Sequence, residues 1–199
     1  LVSACVFVIF IVFTPQGKTA FHTVLFVTEV MDFPVQPQPW FTDEPIREEV
    51  TYSLGSSNAV ADIYRLPDGI PRAAVLLFLG ANAAGRDDKS VVLLGQALAR
   101  AGFVVMFHWS PTMALQYNID FNEIENLVWA FQNLKSRNFV DPERVGIGGF
   151  CVGASFALVA ASDPRISKDV AFVNAFGPYF DARDLLLQTA SGSSYYKGD

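Results

Sequence analysis

One short pattern constrains the fold of this chain more than any other, namely a cysteine at the centre of a G-x-C-x-G pentapeptide. Residues 144–148 before it are mostly apolar, as in a buried strand, and residues 152–161 after it are small and apolar, as in a closely packed helix. A strand that passes into a helix within so few residues must turn sharply at Cys151. We therefore expect strained backbone at Cys151. We also expect positions 149 and 153 to require glycine, because the helix packs so closely against the strand that a side chain would not fit.

Cys151 directly precedes the first turn of this predicted helix. The free backbone N–H groups and the dipole at a helix N-terminus favour an anion. They therefore favour the thiolate, which is the nucleophilic form of cysteine. Cys151 is the candidate nucleophile of the chain. The alternative interpretation is that the glycines only permit close packing and that Cys151 is a small buried apolar residue.

The composition indicates one globular α/β domain and argues against a nucleic-acid surface. The chain has 199 residues, 51% of them hydrophobic, which suits one sizeable core. A formal net charge of −6 with only 14 Lys and Arg provides no basic patch for phosphates, so small neutral or apolar substrates fit better. The two cysteines, Cys5 and Cys151, form neither a disulfide framework nor a metal-ligand cluster, and no cofactor is predicted.

The N-terminal segment, residues 1–27, is predicted to be a membrane anchor with its flank. Residues 1–17 contain no charged residue, and residues 1–13 are apolar almost throughout. Thirteen residues make about 20 Å of helix, which is shorter than a bilayer span, so we expect the rest of a single-pass helix upstream of Leu1. A second apolar patch covers residues 21–27. The alternatives are the cleaved signal peptide of a secreted protein and a buried helix.

The rest of the chain divides into a linker and one domain. Residues 28–45 contain four prolines and predict an extended linker, whereas residues 46–199 predict the domain. A β-hairpin is expected around the turn at residues 55–58. Apolar strands then alternate with helices, which predicts a mostly parallel sheet with helices on both faces. The predicted strands are residues 73–79, 103–107, 144–148 and 170–176, and the predicted helices are residues 88–101, 124–134, 152–161 and 181–189.

Residues 48–199 resemble the α/β-hydrolase superfamily, and the cysteine in G-x-C-x-G is similar to that of the dienelactone-hydrolase branch. The resemblance rests on this motif, on residues 141–144 before it and on the loop of residues 80–88. It implies strands one to six of an α/β-hydrolase fold that is truncated at its C-terminal end. It also implies hydrolysis of a small-molecule carboxylic ester, lactone or thioester through Cys151.

The resemblance further implies an oxyanion hole. One donor would be the N–H of Val152, and the other would be the N–H of Ala81 or Asn82 in the loop after the third strand. The alternative is an ordinary glycine-bearing loop. Residues 86–88 are expected to cap and charge the N-terminus of the following helix rather than to contact substrate.

The catalytic base is the missing part of this set. In the family the nucleophile is followed by an acid and a histidine, but no histidine follows Cys151, so both groups are expected beyond Asp199 and the polypeptide alone is expected to be inactive. Their position at the carboxyl end of a strand makes His108 and Trp109 candidate residues of a pocket mouth. For His108 the default interpretation is a structural imidazole rather than the catalytic base. Asp181 is a weak candidate acid, or a helix N-cap.

Two other classes of function stay open at this stage. One is a non-catalytic, membrane-tethered binding module with the same fold. The other is a redox-sensing thiol, for which Cys5 in the apolar anchor is poorly placed as a resolving partner.

Overall fold

The computed structural model describes residues 14–54, 57–82, 84–116 and 118–179, together with residues 181, 183, 187 and 190–192. A short 3₁₀ helix, Gln38–Trp40, joins the first helix to the first strand. In chain order the other elements are α1 (Pro15–Val30), β1 (Ile46–Leu54), β2 (Ser57–Arg65), β3 (Arg72–Phe78), α2 (Lys89–Arg100), β4 (Val104–Trp109), α3 (Pro111–Gln116), α4 (Asn122–Lys135), β5 (Val140–Phe150), α5 (Val152–Ala161) and β6 (Val170–Phe176).

The six strands form one mixed sheet in the order β1-β2-β4-β3-β5-β6. Strands β1 and β2 form the predicted hairpin, and β2 also pairs antiparallel with β4. Strands β4, β3, β5 and β6 are parallel, which confirms the predicted parallel set. Because the carboxyl ends of parallel strands meet at one edge of the sheet, Cys151 lies at the edge where ligands bind in open α/β folds.

Apolar side chains cover both faces of the sheet. Successive residues of β4 alternate between the two faces, so Val104 and Met106 pack on the side of α4 and α5, whereas Val105 and Phe107 pack on the side of α2. Each of these four side chains is fully buried, which stabilises the fold by about 1.5–3 kcal/mol per side chain. The predicted layering of helices on both faces is therefore confirmed.

Helix α1 packs on the domain. The Thr14 hydroxyl accepts a hydrogen bond from the Gly17 N–H at 3.0 Å, and Pro15 occupies the first turn, so the helix begins where capping favours it. Leu25 is buried, and Glu29 contacts Arg100 of α2 at 3.4 Å. The apolar patch of residues 21–27 thus belongs to a helix that rests on the domain. Within the described part of the chain, no helix is long and apolar enough to span a bilayer, and residues 1–13 of the predicted anchor lie outside that part.

The segment predicted as an extended linker also lies on the domain. The 3₁₀ helix contacts α2, and Gln38 is buried although Pro39 and Trp40 after it are exposed. The Asp32 carboxylate pairs with Lys89 at the start of α2. Around Gln38–Trp40 the predicted linker is therefore a short 3₁₀ turn in contact with α2 rather than an extended stretch.

Strand β6 forms the far edge of the sheet. Among the described residues it pairs with β5 alone, and its Phe172 and Val173 are 38% and 42% exposed. The predicted helix over residues 181–189 lies largely outside the described residues.

Candidate functional site

Cys151 occupies the tight turn between β5 and α5, with its side chain exposed. Its φ of 53° and ψ of −128° fall in a region that residues with a Cβ rarely adopt. Such a conformation costs on the order of 1–3 kcal/mol and persists only where the surroundings fix it. Here the Cys151 N–H donates to the Phe176 carbonyl of β6 at 2.8 Å, and the Cys151 carbonyl accepts from Ala154 at 3.0 Å. The structure therefore has the strained turn that the sequence predicts.

Gly149 and Gly153 are the places where β5, α5 and the end of β3 touch. A Cβ on Gly149 would lie 2.6 Å from the Gly153 carbonyl oxygen and 2.7 Å from the Phe78 carbonyl oxygen. A Cβ on Gly153 would lie 2.3 Å from the Phe78 oxygen and 2.7 Å from the Gly80 nitrogen. All of these obstacles are backbone atoms, which cannot rotate away. Only glycine fits at either position.

Two backbone N–H groups beside the turn have no hydrogen-bond partner among the described residues, those of Val152 and Ala81. Val152 is the first residue of α5, where a helix leaves its N–H groups unpaired. Ala81 follows Gly80, which has φ +65° and lies so close to α5 that a Cβ there would be 2.7 Å from the Gly153 nitrogen. The Asn82 N–H instead donates to the Gly80 carbonyl at 3.0 Å. Of the two predicted loop donors, Ala81 is thus the one with a free N–H.

The loop after β3 is tied to the hairpin by a buried carboxylate that the sequence did not reveal. Arg86 donates from Nε and Nη2 to the two oxygens of Asp62, at 2.9 and 2.7 Å, and also contacts Glu49 at 2.6 Å. Arg47 donates to Asp62 at 3.1 Å and to Asp87 at 2.6 Å. Burial raises the pKa of Asp62, but the hydrogen bonds from its partners outweigh it and hold that pKa below its usual value. Asp62 is therefore an ionised anchor inside the fold.

This network corrects the role predicted for residues 86–88. Only Asp88 caps α2, where its side chain accepts from the Ser90 N–H at 2.9 Å and the Val91 N–H at 3.4 Å. Arg86 and Asp87 point to the hairpin instead. Their partners lie on β1 and β2, so no pattern local to residues 86–88 could have identified them.

His108 is enclosed in the core rather than placed at a pocket mouth. Its Nδ1 contacts the Tyr52 hydroxyl, and its Nε2 lies 2.7 Å from Glu123 Oε2. Burial raises the pKa of Glu123, but hydrogen bonds from His108, and further ones from Ser110 and Asn126, leave that pKa below its usual value. With both ring nitrogens engaged and the side chain fully buried, His108 is not available as a base for Cys151.

Trp109, the other predicted pocket residue, is also internal. Its indole Nε1 donates to Asp62 at 2.8 Å, and its ring packs with the apolar residues beneath α2. Side chains alternate along β4, so His108 and Trp109 point to opposite faces of the sheet. They belong to two different polar clusters, and neither lines a described cavity.

The structure also describes the second histidine of the chain, His22, and the candidate acid Asp181. His22 lines a cleft of about 650 Å³ together with Arg72 and Gly102, which lie where β3 and β4 begin, at the edge of the sheet opposite Cys151. The Asp181 side chain accepts from the Arg183 N–H at 2.8 Å, as in a helix N-cap. In the described part of the chain, no group of three or more His, Cys, Asp or Glu side chains could hold a metal ion.

An apolar cavity of about 510 Å³ lies on the α2 face of the sheet, next to the turn. Phe150, the residue before Cys151, stacks on Phe176 with ring centroids 5.1 Å apart and an interplanar angle of 7°. Both rings line the cavity together with Phe172 and with side chains of α1 and α2. The cavity is therefore lined by both phenylalanine and aliphatic side chains, and it includes the residue before Cys151 but not Cys151 itself.

Comparison with known proteins gives the class of fold. The chain is 19% identical to a dienelactone hydrolase-like promiscuous phosphotriesterase from metagenomic libraries (TM-score 0.54, 68% of this chain and 60% of that one). It is 20% identical to a dienelactone hydrolase from Anabaena variabilis (TM-score 0.55, 72% and 67%). It is 19% identical to a thermostable carboxylesterase cloned from a metagenomic library (TM-score 0.59, 91% and 63%). The sheet order, the turn at Cys151 and these likenesses define an α/β-hydrolase fold.

A protein-family model matches part of the chain. Residues 113–188, which include the whole of β5, the turn and α5, match the model described as the dienelactone hydrolase family. The resemblance to the dienelactone-hydrolase branch is thus confirmed over this stretch. The chain spans 60% of the phosphotriesterase and 63% of the carboxylesterase. No curated protein sequence is a significant match.

Proposed function

We propose that the protein hydrolyses carboxylic esters, lactones or thioesters with Cys151 as the nucleophile. The observation that carries this proposal is the backbone of Cys151. An exposed thiol is held at φ 53° and ψ −128°, a strained backbone conformation, between a strand and a helix N-terminus. The match of residues 113–188 to the dienelactone hydrolase family supports the same reaction class.

The chemistry follows from the groups around the turn. The Cys151 thiolate attacks the carbonyl carbon of the substrate, forming a C–S bond, and the carbonyl electron pair moves to oxygen. The Val152 and Ala81 N–H groups donate to that oxyanion. Collapse expels the alkoxide or thiolate leaving group, which is protonated, and leaves an acyl-Cys151 thioester. Water then attacks this thioester, with loss of a proton to a base, and releases the acid and the thiolate.

The base for this cycle is not one of the two histidines of the sequence. His108 is buried between Tyr52 and Glu123, and His22 lies at the opposite edge of the sheet. We therefore propose that the base and the acid that orients it lie outside the present sequence. On this proposal the 199-residue polypeptide alone does not turn over esters, because general-base catalysis typically contributes a factor of about 10²–10⁴.

Substitution of the two cysteines in the full-length protein tests the proposal. Cys151→Ala is expected to lower kcat/KM for p-nitrophenyl acetate by about 1,000-fold or more, since it removes the nucleophile. Cys5→Ala is the matched control, and it is expected to leave the rate unchanged. Intact-mass analysis of the protein with intact Cys151 during turnover is expected to show one acetyl group on Cys151. Full activity of Cys151→Ala would refute the mechanism.

We further propose that residues 1–13 hold the protein on a membrane. Their uncharged, apolar composition supports this proposal. Helix α1 packs on the domain through Leu25 and Glu29, whereas its apolar residues Phe21, Val24 and Val27 are exposed.

A further inference from the structure

The loop between β3 and α2, residues 80–88, is held at both of its ends. At the first end, Gly80 lies against the first turn of α5. At the second end, Arg86 and Asp87 pair with the hairpin. Between them, Asn82 only closes local turns, in which its Oδ1 accepts from the Ala84 N–H at 3.1 Å and its carbonyl accepts from the Gly85 N–H at 3.4 Å. The loop that carries the Ala81 N–H is therefore held at both of its ends.

The second end of the loop is held by the buried carboxylate of Asp62. The Asp62 side chain is 2% exposed and accepts from Arg86, Arg47 and the Trp109 indole. The Arg86 guanidinium engages both carboxylate oxygens, and a planar bidentate pair fixes orientation as well as distance. Arg47 Nη2 also donates to the Arg86 carbonyl at 3.3 Å, so the backbone at this point is held too. Residue 86 therefore cannot move without breaking several bonds to the hairpin.

Resting on the proposed function, we infer that Arg86 is a positioning residue for the oxyanion hole. It does not contact substrate. It holds the loop so that the Ala81 N–H faces the same oxyanion as the Val152 N–H, and the buried Asp62 carboxylate is its anchor. Preorganised donors stabilise a transition state only when they already lie where the charge develops. Displacement of the loop therefore reduces stabilisation of the transition state more than it reduces the affinity for substrate.

The competing explanation is that Arg86 contributes to stability alone. The two explanations differ in which rates they change. Alkylation of Cys151 by iodoacetamide takes place at a saturated carbon and develops no oxyanion, whereas ester cleavage develops one. A positioning role slows the second reaction and spares the first. A purely structural role changes both or neither.

The test uses the full-length protein with Arg86→Gln, Arg86→Lys and the control Arg72→Gln. Arg72 forms a similar bidentate pair with Asp68 at the opposite edge of the sheet. Complete loss of an oxyanion donor lowers kcat by about 10²–10³. In Arg86→Gln the donor is displaced rather than lost, so kcat for p-nitrophenyl acetate is expected to fall by a smaller factor, about 10- to 100-fold. KM and the alkylation rate of Cys151 are expected to change less than about threefold. Arg86→Lys keeps the positive charge but cannot form the bidentate pair with Asp62, so its kcat is expected to lie between those of the parent and Arg86→Gln.

Amide hydrogen exchange provides the measurement that does not depend on turnover. In Arg86→Gln, peptides covering residues 79–88 are expected to exchange faster, while peptides covering residues 146–158 stay as in the parent. Unchanged exchange in residues 79–88 would overturn the inference. So would an unchanged kcat in a protein whose Cys151→Ala variant is inactive, or an alkylation rate that falls together with kcat. Activity in Cys151→Ala refutes the proposed nucleophile alone, and the exchange measurement then still decides whether Arg86 holds the loop.

Discussion

Gly153→Ala is the smallest change that would disturb the turn at Cys151. It adds a single methyl group on α5, 2.3 Å from the Phe78 carbonyl oxygen and 2.7 Å from the Gly80 nitrogen. Both obstacles belong to the backbone where β3 ends, so relief requires that α5 move away from the sheet. Gly153 does not have a positive φ, and the effect is therefore one of space rather than of backbone conformation.

The magnitude follows from two opposing contributions. Overpacking in a core costs about 1–3 kcal/mol, and a contact this short with fixed atoms belongs at the upper end, about 3 kcal/mol or more. Alanine is favoured over glycine within a helix by about 1 kcal/mol. The net destabilisation is then about 2 kcal/mol or more, which lowers Tm by about 4–8 °C for a domain of this size.

Thermal unfolding followed by circular dichroism measures this shift, and the rate of Cys151 alkylation reports on the turn itself. The control is Gly69→Ala, where a Cβ meets nothing within 4 Å and only the φ of +70° resists substitution, at about 1–2 kcal/mol. We expect Gly153→Ala to slow alkylation and Gly69→Ala to leave its rate unchanged. A Gly153→Ala protein with parental Tm and parental alkylation rate would show that α5 is not packed on β3 as described.

Two further predictions concern the buried His108 pair and the N-terminus. Glu123→Gln is expected to destabilise the protein by about 2 kcal/mol at pH 7 in urea unfolding, because it removes a charged hydrogen-bond partner of His108. In the folded state the pKa of Glu123 is below its ordinary value of 4.5, so this stabilisation is lost as the pH falls below that value. The unfolding free energies of parent and variant should therefore converge at low pH. A constant difference between them down to pH 3 would contradict the ionised state of Glu123. Full-length protein is expected to sediment with membranes until detergent is added, and a variant without residues 1–13 to stay in the supernatant. Soluble full-length protein with a cleaved N-terminus would favour the signal peptide.

The sequence predicted the elements that depend on local pattern. Continuous apolar runs identify β3 and β4 because parallel strands are buried on both faces, and the G-x-C-x-G motif identifies the turn because its glycines answer a local steric need. The sequence did not show which side chains from different strands and loops pair with one another. Asp62 is one polar residue in an alternating strand, and nothing near it in the sequence shows that Arg86 and Trp109 converge on it. The candidate place of His108 at a pocket mouth was wrong for the same reason, because its position at a strand end does not show which face its ring joins. The default interpretation of His108 as a structural imidazole agrees with its buried, hydrogen-bonded ring.

The conformation of Cys151 is maintained by contacts from both neighbouring strands. On one side, the Phe176 carbonyl of β6 accepts from the Cys151 N–H, and on the other, the end of β3 abuts Gly149 and Gly153. The cost of the turn, on the order of 1–3 kcal/mol, is therefore offset by the sheet as a whole rather than by local interactions. Because Gly80 at the end of β3 also begins the loop that carries the free Ala81 N–H, the backbone that fixes the thiol fixes the candidate oxyanion donor as well. Reactivity at Cys151 and the packing of α5 on β3 should consequently be lost together, whereas changes at Arg86 should lower ester turnover and leave both of them unchanged.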